Sequence, residues 1–161
     1  MHETLESILG LNSWMFGNAM KGVAAGKAGH RVSPKTNSFD RTAGHLVVGR
    51  NQMGRFLGMK MSDLPWDDFA EFGPGRQFDP ALQVPALSEI AAAWETQTKR
   101  LLPGLGKVPP ATWGAPAPFQ IPGEDQTMRG VITFMVMHES YHLGQMGLLR
   151  KDMTGDRIMG A

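Results

Sequence analysis

Apolar residues recur at intervals of three and four along four stretches of the chain. In the first, Leu5, Ile8, Leu9, Phe16, Ala19, Met20 and Val23 share one stripe, with Asn12 as its strongly polar member. A period near 3.6 residues predicts an amphipathic helix. The Gly-rich stretch Gly22 to Gly29 ends it, because glycine readily takes the left-handed backbone of a helix C-terminus. Pro34 to Asn37 breaks the chain, and Ser38 stands where an N-cap opens a second helix. Phe39, Ala43, Leu46, Met53 and Leu57 mark its apolar face, with His45 at the edge of that face in line with Gly49 and Phe56.

Residues 59 to 85 carry Pro65, Pro74, Pro80, Pro85 and the turn signal Gly73-Pro74-Gly75, so they read as a long loop. Leu87, Ile90, Ala91, Trp94, Thr98, Leu101 and Leu102 outline a third helix. A second Pro/Gly-rich loop runs from Pro103 to Gly123, interrupted by Trp113 and Phe119. The fourth helix starts near Asp125 and runs to about Met153, with Gly155 following as a stop. No segment alternates as a strand does. The expected fold is all-α: a four-helix bundle forming one domain, 1–161, with long loops between helices two and three and between three and four. Loops of such length serve as lids or subunit contacts.

Composition narrows the chemistry. With 161 residues, 42% apolar and 19% charged, the chain can build one real core. Twelve methionines against one tyrosine suggest that methionine fills part of it. A net charge of +1 gives no field that would draw a polyanion. The cluster Lys21, Lys27, Arg31, Lys35 and Arg41 lacks interleaved aromatics, so it reads as a solvated face, and no nucleic-acid partner is expected. Gly22 to Lys27 has the wrong glycine spacing for a phosphate loop, and Ala28 follows the lysine where Ser or Thr is needed. The acidic N-terminus is unlike a signal peptide, and no apolar run reaches the length of a membrane span. The expected setting is the cytoplasm of a bacterial cell, with no membrane partner. Cysteine is absent, which removes disulfides, thiolate metal sites and a cysteine nucleophile. Any metal must therefore sit on His, Asp or Glu.

The densest chemical signal is His138-Glu139-Ser140-Tyr141-His142. Two histidines four apart lie on one helix face, one turn from each other. Projected around the axis, Val131, Phe134, Met135, Met146 and Leu149 share that face, which puts the pair in the middle of the expected buried stripe. Two buried imidazoles in contact must satisfy four ring nitrogens. One metal ion satisfies two of them at once, whereas hydrogen-bonded core histidines must find partners where little backbone is free. His-Glu-x-x-His also matches the zinc protease signature, but the extended form fails because Gln145 and Leu148 stand where Gly and His belong. No His or Glu follows His142, so a third ligand must come from upstream. His2 is terminal and His30 lies in a Gly-rich loop, whereas His45 sits on an amphipathic helix.

Three histidines with an open fourth position suit a catalytic centre. Gly49, one turn beyond His45, leaves room for a small ligand. Asn12 is either a buried amide bonded to a neighbouring helix or a contact near the site. Gln145 faces the same side as His138 and can orient a ligand. Glu139 falls just outside the stripe, near a metal-activated water or solvated.

The segment His138 to Lys151 closely resembles the last helix of the DinB-like (DinB/YfiT) superfamily. Asn37-Ser38 followed by Gly44-His45-Leu46 resembles that family's second helix, and Asn12 stands where many members carry an asparagine. The resemblance implies a four-helix bundle, a divalent metal on His45, His138 and His142, and frequently a homodimer. Relatives include transferases and isomerases that use low-molecular-weight thiols. The expected function is therefore a metal-dependent enzyme using zinc or nickel on a small-molecule substrate. Its reaction is S-transfer from a thiol cofactor or hydrolysis by activated water, with Glu139 or Gln145 as orienting groups. The alternative is a non-catalytic metal-binding or stress-response module.

Overall fold

The computed structural model describes residues 2–64, 66 and 83–160. Four long helices appear where the apolar periodicity puts them: α1 (His2–Met20), α2 (Phe39–Phe56), α3 (Leu87–Leu105) and α5 (Met128–Thr154), with a short α4 (Pro110–Gly114) between the last two. A 3-10 turn, Ala25–Lys27, lies after α1. Among the described residues there is no strand, only an isolated bridge between Pro116 and Thr127. No helix there is long and apolar enough to cross a membrane.

The helix ends follow local chemistry. Gly155 closes α5 with φ 79° and donates its N–H to Lys151 O at 2.8 Å, the left-handed cap that glycine adopts without strain. Arg150 reaches from α5 to the carbonyls of Ala19 and Lys21, where α1 ends with unsatisfied acceptors. Ser38 occupies the N-cap position of α2, but its hydroxyl turns to the Asp40 carboxylate. The start near Asp125 is corrected to Met128. Asp125 folds back on the turn before the helix, where its Oδ1 accepts from the Thr127 N–H (3.2 Å) and hydroxyl (2.6 Å).

The second loop is also shorter than its prolines suggest. The third helix runs through Pro103 to Leu105. A proline two residues from a helix end removes one hydrogen bond, and the burial of Leu101 and Leu105 outweighs that loss. Pro110 then opens α4, a favoured first helical position for proline. This turn buries Trp113, while Phe119 stays exposed against Phe56. The first loop, 59 to 85, is non-helical at 59–64, 66 and 83–85; residues 65 and 67–82 lie outside the described residues.

Helices α1 and α2 each pack against both α3 and α5, and α4 leans on α5. The apolar residues form two clusters. One contains Leu9, Met53, Leu101 and Val136; the other contains Phe16, Leu46, Trp94 and Leu143. Between these members, on each long helix in turn, lies a polar residue: Ser13, Arg50, Thr98 and Glu139. The core is thus two apolar blocks separated by a polar layer.

Candidate metal centre

That layer decides how α5 faces the rest of the molecule. The buried residues of α5 include Ile132, Val136, Glu139, Leu143 and Met146, spaced at three and four. Glu139 therefore stands in the middle of the buried stripe, and His138 and His142 stand half-buried at its rim. Both earlier expectations are corrected together: the histidines are not central, and Glu139 is neither outside the stripe nor solvated. The partner that draws it inward is Arg50, which is itself fully buried. Arg50 lies on the stripe of Leu46, Met53 and Leu57, and a charge in that register was the signal for the pair.

At the rim, α2 and α5 bring three imidazoles together. His45, His138 and His142 each offer a nitrogen within 4.8 Å of the others. The ring centroids are 4.3 to 5.1 Å apart, and each pair meets edge to face. His30, in contrast, pairs with Asp152 at 2.7 Å elsewhere on the surface.

The nitrogen positions fit a shared cation. His138 Nε2 and His142 Nε2 are 3.0 Å apart. Two nitrogens bound to one ion at about 2.1 Å would be separated by roughly 3.0 to 3.4 Å, depending on the bond angle. The other nitrogen of His142, Nδ1, lies 2.7 Å from Gln145 Oε1. An amide oxygen only accepts, so Nδ1 carries the proton and Nε2 presents its lone pair toward His138. At that distance His138 Nε2 either donates its proton to the His142 lone pair or turns a lone pair of its own to it, and the second arrangement requires a cation between the two nitrogens.

The electrostatics agree with this geometry. Burial, with the charges of His142 and His45, pushes His138 down to about 4. Burial also lowers His142, against the opposing effect of its bond to Gln145 and with help from His45. Both rings are neutral at pH 7, the form in which imidazole binds a metal. Phe134 lies 5.9 Å from the His138 ring, and the exposed Tyr141 lies 5.2 Å from the ring of His142.

The remaining residues singled out in the sequence divide. Gln145 joins the centre through His142. Gly49 is half-buried, and a side chain there would meet nothing within 4 Å, so there is open space beside it. Asn12 is buried and donates to Ser140 Oγ at 3.0 Å; it is the amide that joins two helices. Glu139 binds Arg50 through both carboxylate oxygens, at 2.8 and 2.9 Å.

A family model described as the DinB superfamily matches residues 15–146. That span includes the three histidines, Arg50, Glu139 and Gln145. No curated protein matches the chain, and no solved structure matches it.

Proposed function

Because the chain belongs to the DinB superfamily, we propose that it is a four-helix-bundle enzyme. Its centre holds one divalent zinc or nickel ion on His45, His138 and His142. When bound, such an ion supplies Lewis acidity that lowers the pKa of a thiol or water at an open position. The observation that supports this most directly is the convergence of three imidazoles, two of them held neutral at pH 7.

The chain's own residues have distinct parts in this reading. Gln145 holds the His142 proton on Nδ1 and keeps Nε2 turned to the centre. The space beside Gly49 admits a small molecule, and Phe134 and Tyr141 flank the histidines with apolar surface. Asn12 acts at one remove, through Ser140. With no cysteine in the chain, the attacking thiolate belongs to a low-molecular-weight thiol. Its sulfur forms a bond to an electrophilic carbon, and a halide or epoxide oxygen leaves with the bonding electrons. Hydrolysis of a small ester is the neighbouring reaction. Reduced thiols place the enzyme in the cytoplasm.

The same reading includes a homodimer. Leu11 and Trp14 on α1, with Met137, Tyr141 and Leu148 on the adjoining α5, are exposed apolar side chains suited to a subunit contact. Light scattering on the purified chain is expected to give twice the monomer mass.

The deciding experiment is elemental analysis of tag-free protein, comparing wild type with a His45→Ala, His138→Ala double variant. About one equivalent of zinc or nickel in wild type, lost in the variant, is the expected result for a single three-histidine site. Wild type that neither carries nor takes up metal would overturn the reading. A second reading, a non-catalytic metal-binding module, draws on the engagement of Glu139 by Arg50, which occupies the acid next to His138. Metal-replete protein that turns over no thiol–electrophile pair and no simple ester would favour that module.

A further inference from the structure

Arg50 is fully buried, and every donor of its side chain is bonded. Its Nε donates to Glu139 Oε2 at 2.8 Å, and Nη2 donates to Glu139 Oε1 at 2.9 Å and to Leu9 O at 3.0 Å. Nη1 donates to Ser13 Oγ at 2.8 Å and to Thr98 Oγ1. The guanidinium also lies 3.6 Å over the Trp94 ring. All five N–H groups of the arginine are thereby used. The partners come from α1, α3 and α5, so this one residue of α2 joins the four long helices.

Such an ion pair needs a reason beyond stability. Buried pairs of this kind are often matched or exceeded in stability by apolar residues of similar size, and their best-attested use is to fix register. The apolar blocks on either side of the layer attract without direction, so they tolerate sliding and rotation of one helix against another. A bidentate arginine–carboxylate pair does not, because both oxygens must meet the guanidinium fork. The pair sits at the height where register matters for the histidines. Glu139 directly follows His138 and precedes His142 by three residues, and Arg50 is about one and a half turns beyond His45. The two ends of the ion pair are thus on the same two helices as the two halves of the histidine cluster.

We propose that the Arg50–Glu139 pair is the positioning device of the metal centre: it locks α2 and α5 in the one register that lets His45 meet His138 and His142. This rests on the metal site proposed above. Neither residue touches the metal in this account, and their effect passes through the helix backbones to the imidazoles.

The test uses the full chain and two probes, zinc affinity by competition with a chromophoric chelator and the visible spectrum of bound cobalt(II). The Arg50→Met, Glu139→Leu double variant replaces the pair by apolar side chains. It is expected to melt near wild type, to bind zinc roughly 10–100-fold more weakly, and to show shifted cobalt bands. Thr98→Val removes an Arg50 acceptor outside the ion pair, and is expected to lower the melting temperature while leaving both metal readouts unchanged. If the double variant does not fold, Arg50→Lys keeps both charges while losing the two-pronged fork, and about a tenfold loss of zinc affinity is expected. A folded variant with wild-type zinc affinity and an unchanged cobalt spectrum overturns the positioning role. Wild type that binds no zinc fails in its own arm, and overturns the metal reading together with this one.

Discussion

The side-chain amide of Gln145 decides which nitrogen of His142 faces the other two rings, so it should control metal binding without carrying the fold. Gln145→Leu removes the acceptor and frees the tautomer; zinc affinity measured by chelator competition should drop roughly 10–100-fold, with little change in melting temperature because Gln145 is only half-buried. The buried pair should behave in the opposite way. Arg50→Met alone leaves the Glu139 carboxylate in the core without its partner, and urea unfolding should show a loss of about 3–5 kcal/mol. An equal cost for the single and the double replacement would mean that the lost charge partner is not the cause. The three histidines are legible in the sequence because the chain has few of them and two stand one turn apart. Arg50 and Glu139 are harder to read, since charged side chains are placed outside by default. A projection led by Val131, Phe134, Met135, Met146 and Leu149 turns the face of α5 toward His138 and His142 and leaves Glu139 outside it. Only the match of Arg50 to the stripe of Leu46 and Met53 would have corrected it.

At the level of the element, the helix ends marked by glycine are clear in the sequence, and those that depend on a longer-range fit are not. Gly155 needs a left-handed backbone and states its role locally. Pro103 states the wrong one, because the packing of Leu101 and Leu105 against the core is invisible in a local reading. Gly130 hides a second fit of this kind. A side chain there would overlap the backbone carbonyl of Asp125, which cannot swing aside as a flexible side chain would. Gly130→Ala should therefore destabilise by roughly 1–3 kcal/mol through overpacking, even though alanine is the better helix former. Gly10, in the middle of α1, has nothing within 4 Å of the same position, and Gly10→Ala should stabilise by about 0.5–1 kcal/mol. Thermal melts of the two variants should move in opposite directions. A gain for both would mean that the turn at Asp125 yields easily and does not fix the start of α5.

For the whole molecule, the three-histidine cluster links folding to protons, and on the proposed reading to metal as well. His138 is held down to about 4 in the folded chain against an ordinary 6.5. An unfolded chain takes up a proton at this residue below about 6.5, and the folded chain does so only near 4, so between these values unfolding is accompanied by proton uptake. The stability that the neutral ring allows is present above pH 6.5 or so and is lost as pH falls toward 4. Chelator-stripped protein should therefore melt at steadily lower temperature across that window, and His138→Ala should flatten the decline. On the proposed reading, zinc acts on the same equilibrium from the other side. At a hundred times its dissociation constant it adds about 2.7 kcal/mol, a rise of roughly 5–10 °C for a domain of this size, reversed by chelator. His138→Ala should lose most of this rise and part of the pH dependence, because the same imidazole contributes to both; His142, which burial also lowers, accounts for some of the remaining slope. If the variant instead keeps the full zinc response while its pH profile flattens, the protons are read at His138 and the metal is bound by other residues.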